Sequence, residues 1–158
     1  MSAISPNHVI ERLRDVPSRI ARLFGTLPAS RLSAAPAEGE WSTTEILAHL
    51  RASDDVLAYR AYMILARDNP PLPAFDERRW AEVAGYARLD ALDSLQTYAR
   101  RREELVTLLD GLASEAWART GQHETRGAVT LLDVLTTLLE HEEEHCAQLE
   151  AAVTYPPL

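Results

Sequence analysis

Apolar residues recur at intervals of three and four along four long stretches of this sequence, and this spacing restricts the fold more than any other feature. It places the apolar side chains on one face of an α-helix, whereas a half-buried strand would require alternation. Only 6 Gly occur among the 158 residues, so little interrupts the pattern. The spacing predicts an all-α protein, a helical bundle with helices over residues 5–27, 43–68, 90–110 and 131–153.

Local signals mark where these helices begin and end. Ser42-Thr43-Thr44-Glu45 is a capping box, in which the Ser hydroxyl and the Glu carboxylate each satisfy a backbone donor. Pro17 removes a donor inside the first helix, so we expect a kink or a restart there. The proline-rich residues 69–73 end the second helix. The roughly 20 residues that follow, with a short helix within 76–86, can span the length of a bundle.

Two other segments are predicted to be connections. Residues 28–40 contain two prolines and a glycine and cannot continue a helix. Residues 113–129 are expected to form a connection with one helical turn. A chain of this length can bury one sizeable core, so residues 1–158 are predicted to form a single domain.

The residue composition excludes several functions. The 24 acidic and 16 basic residues give a net charge of −8, so nucleic acid is not an expected partner. Every basic residue is Arg, which excludes a lysine Schiff base or a lysine general base. Cys146 is the single cysteine and cannot form an internal disulfide. Without a signal-peptide pattern or an apolar run of roughly 20 residues, a cytoplasmic protein with no membrane contact is expected.

His141 and His145 are four residues apart in the last predicted helix. Their side chains point in directions about 40° apart, on the same face as Val134 and Leu138, so both imidazoles can reach one point on the inner side of the helix. This spacing is typical of metal ligands. The alternative is a pair of histidines that hydrogen-bond to neighbouring side chains, and the spacing alone does not separate the two.

Residues 141–145 also match the H-E-x-x-H pattern of zinc proteases. Such a protease usually takes its third ligand from farther along the chain, and only 13 residues follow His145, so a third ligand must lie upstream. His49 is the best candidate, because it lies on a strongly capped helix about 10 Å from its start. The alternatives are that His49 is a boundary histidine, that His123 packs in a loop, and that His8 lies at the surface.

The residues beside the histidine pair carry separate predictions. Glu142 and Glu144 flank the histidine direction, and we expect both to face solvent because Glu is seldom buried without a partner. Gln148 shares the face of the pair and can hydrogen-bond to it. Cys146 is expected to be a partly buried, inert thiol. The three arginines at 100–102 are expected to form a solvated face, although one of them could turn toward a site.

Several short motifs occur together at set positions of the chain, namely Trp41-Ser42 at a helix start, Glu45, His49-Leu50, the loop from Trp117 to Gly127, and His141 with His145 followed by Gln148. This combination, over about residues 12 to 153, resembles the DinB/YfiT-like superfamily. The resemblance implies a four-helix bundle with two long crossovers in an up-down-down-up order. It also implies a divalent metal, usually zinc or nickel, held by His49, His141 and His145.

Characterised members of this superfamily include transferases and isomerases that use bacillithiol, mycothiol or similar low-molecular-weight thiols. The resemblance therefore implies a metal-dependent S-transferase or isomerase that acts on a small molecule with such a thiol as cosubstrate, and a homodimer. Three protein ligands leave a position at the metal that can bind water or a thiol. Ser53, His123 and Gln148 are the candidates for hydrogen bonds to the ligands or for contacts with substrate.

A second hypothesis, from a different class, is a bundle without catalysis that acts as a metal-stabilised binding or dimerisation module. Both hypotheses require the three histidines. They differ in access, because a catalytic metal needs an open coordination position beneath a cavity, whereas a structural metal is closed off by its ligands.

Overall fold

The computed structural model describes residues 4–154, and four long α-helices in that range form the body of the fold. In chain order the helices are α1 (Pro6–Thr26), α2 (Ala29–Leu32), α3 (Thr43–Ala66), α4 (Glu77–Ala84), α5 (Ala91–Asp110) and α6 (Leu131–Thr154). Short 3₁₀ turns lie at Tyr86–Arg88 and Ser114–Ala118. None of the helices within residues 4–154 has an apolar stretch long enough to cross a membrane.

Each long helix packs against two of the others, which gives the order α1, α6, α3, α5 around the core. Helices α1 and α6 run in the same direction, because Arg12 pairs with Glu143 and Arg19, two turns later, pairs with Glu150. The predicted four-helix bundle with an up-down-down-up order and long crossovers is confirmed.

Helices α3 and α6 run in opposite directions. The Arg119 side chain donates to the Ile64 carbonyl near the end of α3, and the Leu131 amide at the start of α6 donates to the Arg119 carbonyl. The end of α3 therefore lies beside the start of α6. This arrangement brings residues near the start of α3 next to the middle of α6.

The four long helices begin and end within two residues of the predicted positions. Of the kink or restart expected at Pro17, the restart was wrong, because α1 continues through this residue. Leu13, Val16 and Ile20 are buried on either side of Pro17. Burial of each such side chain contributes about 1.5–3 kcal/mol, which together exceeds the cost of roughly 3 kcal/mol for proline inside a helix.

A small sheet joins the two crossovers, in a region predicted as connections. In the described part of the chain it has three strands, and β1 (Pro71–Leu72) pairs in parallel with β2 (Thr120–His123), which pairs antiparallel with β3 (Gly127–Thr130). Residues 113–129 thus contain strands in addition to the expected turn, and α2 lies within the connection predicted at 28–40. Elements of two to four residues are too short to show a periodicity in sequence.

A buried ionic cluster, formed by Arg102, Asp54, Glu142 and Tyr98, lies between the long helices. Arg102 donates to Glu142 Oε2 at 2.7 Å and to Asp54 Oδ1 at 2.5 Å, and Tyr98 donates to Glu142 Oε1 at 2.9 Å. The expectation that Glu142 faces solvent was wrong, since Glu142 and Asp54 are both 0% exposed. Arg102 is also buried, although the three arginines at 100–102 were expected to form a solvated face. The carboxylates of Asp54 and Glu142 supply the partners that its buried charge needs.

Candidate metal centre

Two capped helices hold the histidines in register. At the start of α3, Ser42 Oγ accepts from the Glu45 amide at 3.3 Å and Glu45 Oε2 accepts from the Ser42 amide at 2.9 Å, as the capping box predicts. At the start of α6, Thr130 Oγ1 accepts from the Asp133 amide at 3.0 Å and Asp133 Oδ2 accepts from the Thr130 amide at 2.8 Å. These reciprocal bonds fix where both helices begin, and therefore which residues face each other.

The three predicted histidines meet at one point between α3 and α6. The Nε2 atom of His141 lies 2.7 Å from that of His49 and 3.1 Å from that of His145. Two imidazole nitrogens that share one tetrahedral zinc ion at 2.0–2.1 Å would be about 3.3 Å apart. These two distances lie near that value, and the ligand atoms of all three histidines lie within 4.8 Å of one another, so these residues could hold one ion.

His49 and His145 are buried and His141 is half-buried, and burial favours the neutral form of all three. It lowers the pKa of His49 to about 2, with further lowering by the charges of His141, His145 and Arg78. Burial, followed by the neighbouring His145, lowers the pKa of His141 to about 4. Burial also lowers the pKa of His145, despite its hydrogen bond to a neighbouring amide. Neutral imidazoles carry the lone pair that metal binding requires.

Gln148, predicted as a neighbour of the pair, orients one of the rings. Its Oε1 atom lies 2.9 Å from His145 Nδ1. An amide oxygen only accepts, so Nδ1 carries the proton and Nε2 presents its lone pair to the centre of the cluster. Ser53 is also near, with Oγ 3.3 Å from His49 Nε2. Both residues lie beside the histidines, and their roles at the site stay predictions.

Two neighbours of the histidines were not expected from the sequence. The ring of Trp41 lies 4.4 Å from the ring of His49 and stacks on His145 at 6.2 Å between centroids. The Glu77 carboxylate, on the short helix α4, lies 3.7 Å from His49 Nε2 and 3.9 Å from His141 Nε2. Within residues 4–154, Glu77 is the carboxylate that makes ion-pair contacts with these histidines. Nothing in the local pattern of a crossover helix marks such a residue.

A cavity of about 250 Å³ opens beside the cluster. Its lining includes Ser53, Glu77 and His141 from the histidine side. His123 also lines it, so this residue reaches the site without joining the three ligand candidates. Burial, followed by the charges of Arg60 and Arg126, lowers the pKa of His123.

The other residues considered in the sequence analysis are not part of the histidine cluster. His8 is exposed in the first turn of α1, and Glu144 is exposed on α6, as expected. Cys146 is 0% exposed, more deeply buried than predicted. Burial raises the pKa of its thiol to about 11, which leaves it protonated and unreactive at neutral pH.

The donor set fits a divalent metal. The three Nε2 atoms can share protons in hydrogen bonds, or all three can give their lone pairs to one cation. The arrangement of the Nε2 atoms therefore suits one metal ion. On the other side of its ring, His141 Nδ1 has no hydrogen-bond partner among the described residues.

Comparisons with solved structures agree with this fold. YfiT from Bacillus subtilis, titled a probable metal-dependent hydrolase with an unusual four-helix bundle topology, superposes with a TM-score of 0.88 at 22% identity, over 96% of this chain and 89% of that one. The mycothiol-dependent maleylpyruvate isomerase gives a TM-score of 0.76 at 15% identity, over 94% of this chain and 63% of that one. At these identities the likeness concerns the fold.

Sequence comparison extends the relationship. A protein of Oceanobacillus iheyensis, provisionally named a metal-dependent hydrolase, is 23% identical over 145 residues, which cover 92% of this chain and 83% of the relative. The family model of the DinB superfamily matches residues 12–149, most of the chain. This protein therefore belongs to the DinB superfamily, as its histidines and helix pattern predict.

Proposed function

We propose that this protein is a divalent-metal-dependent enzyme that acts on a small molecule, with His49, His141 and His145 as the metal ligands. The finer proposal is a thiol-dependent S-transferase or isomerase with zinc or nickel and a low-molecular-weight thiol. The observation that carries the proposal is the convergence of the three Nε2 atoms beside a cavity.

The cavity favours an enzyme over a closed structural site. His141, a proposed ligand, itself lines the cavity, so a molecule in the cavity can approach the metal position. A metal that only stabilised the bundle would be enclosed by its ligands. The proposal of a non-catalytic binding or dimerisation module has no comparable support.

A bound divalent metal would supply a Lewis acid that lowers the pKa of a water or thiol at the site. Glu77 is placed to accept the proton that the nucleophile loses and to return it to the leaving group. The nucleophile then forms its bond to the electrophilic atom while the bond to the leaving group breaks. Trp41 covers the rings of His49 and His145 and limits the access of water from that side.

The relatives support this choice of reaction class. Metal-dependent hydrolase is the provisional name of the sequence relatives, and the isomerase with the same fold is mycothiol-dependent. Water and thiols are both nucleophiles that a metal with an open position activates. We favour thiol transfer because it also agrees with the thiol dependence of that isomerase.

Metal analysis of the purified protein tests the ligand set. We expect about one divalent ion per chain, and replacing His145 by Ala should remove most of it because one of three ligands is lost. Replacing His8, an exposed histidine of α1, by Ala is the matched control and should leave the metal content unchanged. Equal metal content in the wild type and in the His49, His141 and His145 alanine variants would refute the ligand set.

Activity assays test the reaction class. The metal-loaded protein is incubated with bacillithiol, mycothiol, glutathione or cysteine and a panel of electrophiles, and product formation is followed by mass spectrometry. We expect turnover with at least one thiol, and its loss in His145→Ala. Metal binding without turnover of any thiol or water substrate would instead favour the non-catalytic module.

A further inference from the structure

The cavity beside the histidines is also lined by basic residues. Arg60, on α3, and Arg126, in the turn between β2 and β3, line it together with His123. Arg60 follows His49 by 11 residues on the same helix, an axial rise of about 16 Å. The basic residues are therefore displaced along α3 from the metal ligands.

Arg60 is a buried charge without an acidic partner among the residues that the structure describes. Arg60 is 9% exposed, and its Nη2 donates to the Pro73 carbonyl at 2.5 Å. Its Nε is buried and has no hydrogen-bond partner within residues 4–154. Burial and the charge of Arg126 lower the pKa of Arg60, and no carboxylate counteracts them.

Buried guanidinium groups are normally paired, because burial removes the water that would otherwise solvate the charge. The ionic cluster of this protein shows the ordinary arrangement, since Arg102 has two carboxylate partners. Arg60 lies at the wall of a cavity and has no such carboxylate partner among the described residues. A ligand that brings a negative charge into the cavity would supply the missing partner.

We infer that the Arg60 side of this cavity binds the anionic group, a carboxylate or a phosphate, of the small molecule that reacts beside the histidines. Arg60 carries most of the interaction. Arg126 is exposed, donates to Thr137 at 3.0 Å and lies close enough to Asp133 to affect its pKa, so its contribution is smaller. Glu77, at the histidines, repels an anion and so sets the orientation of the ligand.

The inference rests on the proposed function for the reaction, but the binding of the anion can be tested separately. Acetate, succinate and inorganic phosphate are titrated calorimetrically into the full-length protein at constant ionic strength, both as purified and after treatment with a chelator. The metal content of each sample is measured in parallel. Binding of the two carboxylates alone, or of phosphate alone, identifies the anionic group.

The decisive variant is Arg60→Met, which keeps the apolar stem and removes the charge. We expect it to weaken anion binding about tenfold or more, the usual effect of losing a hydrogen bond to a charged group. Arg100→Met is the matched control, because it removes the same charge from an exposed position of α5, and it should bind like the wild type. Arg60→Lys retains the charge without the guanidinium fork and should lie between the two.

A rise of the wild-type melting temperature with anion concentration provides a second measurement, which does not depend on the folding of Arg60→Met. This rise should be smaller in Arg126→Met. A protein that takes up no divalent metal under any loading condition, yet binds the anion through Arg60, would refute the proposed function and leave this inference standing. A metal-loaded protein in which none of the three anions binds, or in which Arg60→Met binds them as the wild type does, would overturn the inference.

Discussion

Replacing Arg102 by Met removes the positive charge from the buried ionic cluster and keeps an unbranched side chain of similar length. The guanidinium donates to Asp54, to both oxygens of Glu142 and to the Leu13 carbonyl at 3.2 Å. Arg102 is 1% exposed, and the two carboxylates are 0% exposed. Water therefore cannot replace the lost donors without opening the bundle.

The expected loss of stability is about 3–5 kcal/mol, the range for removing one partner from a buried ion pair. A domain of this size has a free energy of unfolding of only about 5–15 kcal/mol. At about 2–4 °C per kcal/mol, the melting temperature should fall by roughly 6–20 °C. Part of this cost reflects the burial of carboxylates that have lost their counterion, rather than the strength of the original pair.

Urea unfolding followed by circular dichroism at neutral pH measures the change. Arg101→Met is the matched control, because Arg101 is the adjacent residue on α5 and pairs with Asp55 at the surface, where both side chains are more than a third exposed. An exposed pair of this kind contributes about 0–1 kcal/mol. The reasoning would be refuted if the two variants lost the same free energy of unfolding.

Three further predictions follow from other parts of the structure. Burial, opposed by Arg102 and reinforced by Glu142, raises the pKa of Asp54 above its ordinary value. A folded-state pKa above the unfolded-state value makes the wild type lose stability as pH rises from the lower value to the higher one, so in urea titrations Asp54→Asn should gain stability relative to the wild type over the pH range that starts at about 4. A constant difference across that range would contradict the assignment. Glu77→Gln should retain the metal and lower turnover about 10²–10⁴-fold, as expected for a proton acceptor, and loss of the metal would instead make Glu77 a ligand. Gly121→Ala should cost about 1–3 kcal/mol in thermal unfolding, because the new Cβ would lie 2.7 Å from Leu72 Cδ1, whereas Gly25→Ala, with nothing within 4 Å, should not destabilise α1.

The long helices could be predicted because their signals are local. The capping box at Ser42 and the apolar spacing lie within single stretches of chain, so they fix α3 without any knowledge of the fold. The sheet depends instead on a pairing of Pro71 with Gln122, about 50 residues apart, which no local pattern contains. The predictions of a single domain and of a homodimer stay predictions, and sedimentation analysis tests the second.

The same distinction applies to the candidate site. The spacing of His141 and His145 within one helix predicted their shared direction. His49 was predicted from its place on a strongly capped helix and from the family resemblance. Glu77 and Arg60 were missed, since their place beside the cavity depends on how the crossover and the small sheet fold back. Glu142 was wrongly assigned to solvent because its partner, Arg102, is 40 residues away in the chain.

The position of α6 in the chain affects how the protein is made. It is the last of the four long helices in chain order, and it packs against both α1 and α3. At about 5–20 residues per second, the ribosome needs roughly 5–20 s after completing α1 to reach α6. During that interval the face of α1 that packs against α6 is uncovered, and exposed apolar surface of this kind makes a nascent chain prone to aggregate and to bind chaperones. The histidine centre can assemble only after α6 has been synthesised, when this helix docks and delivers two of the three imidazoles.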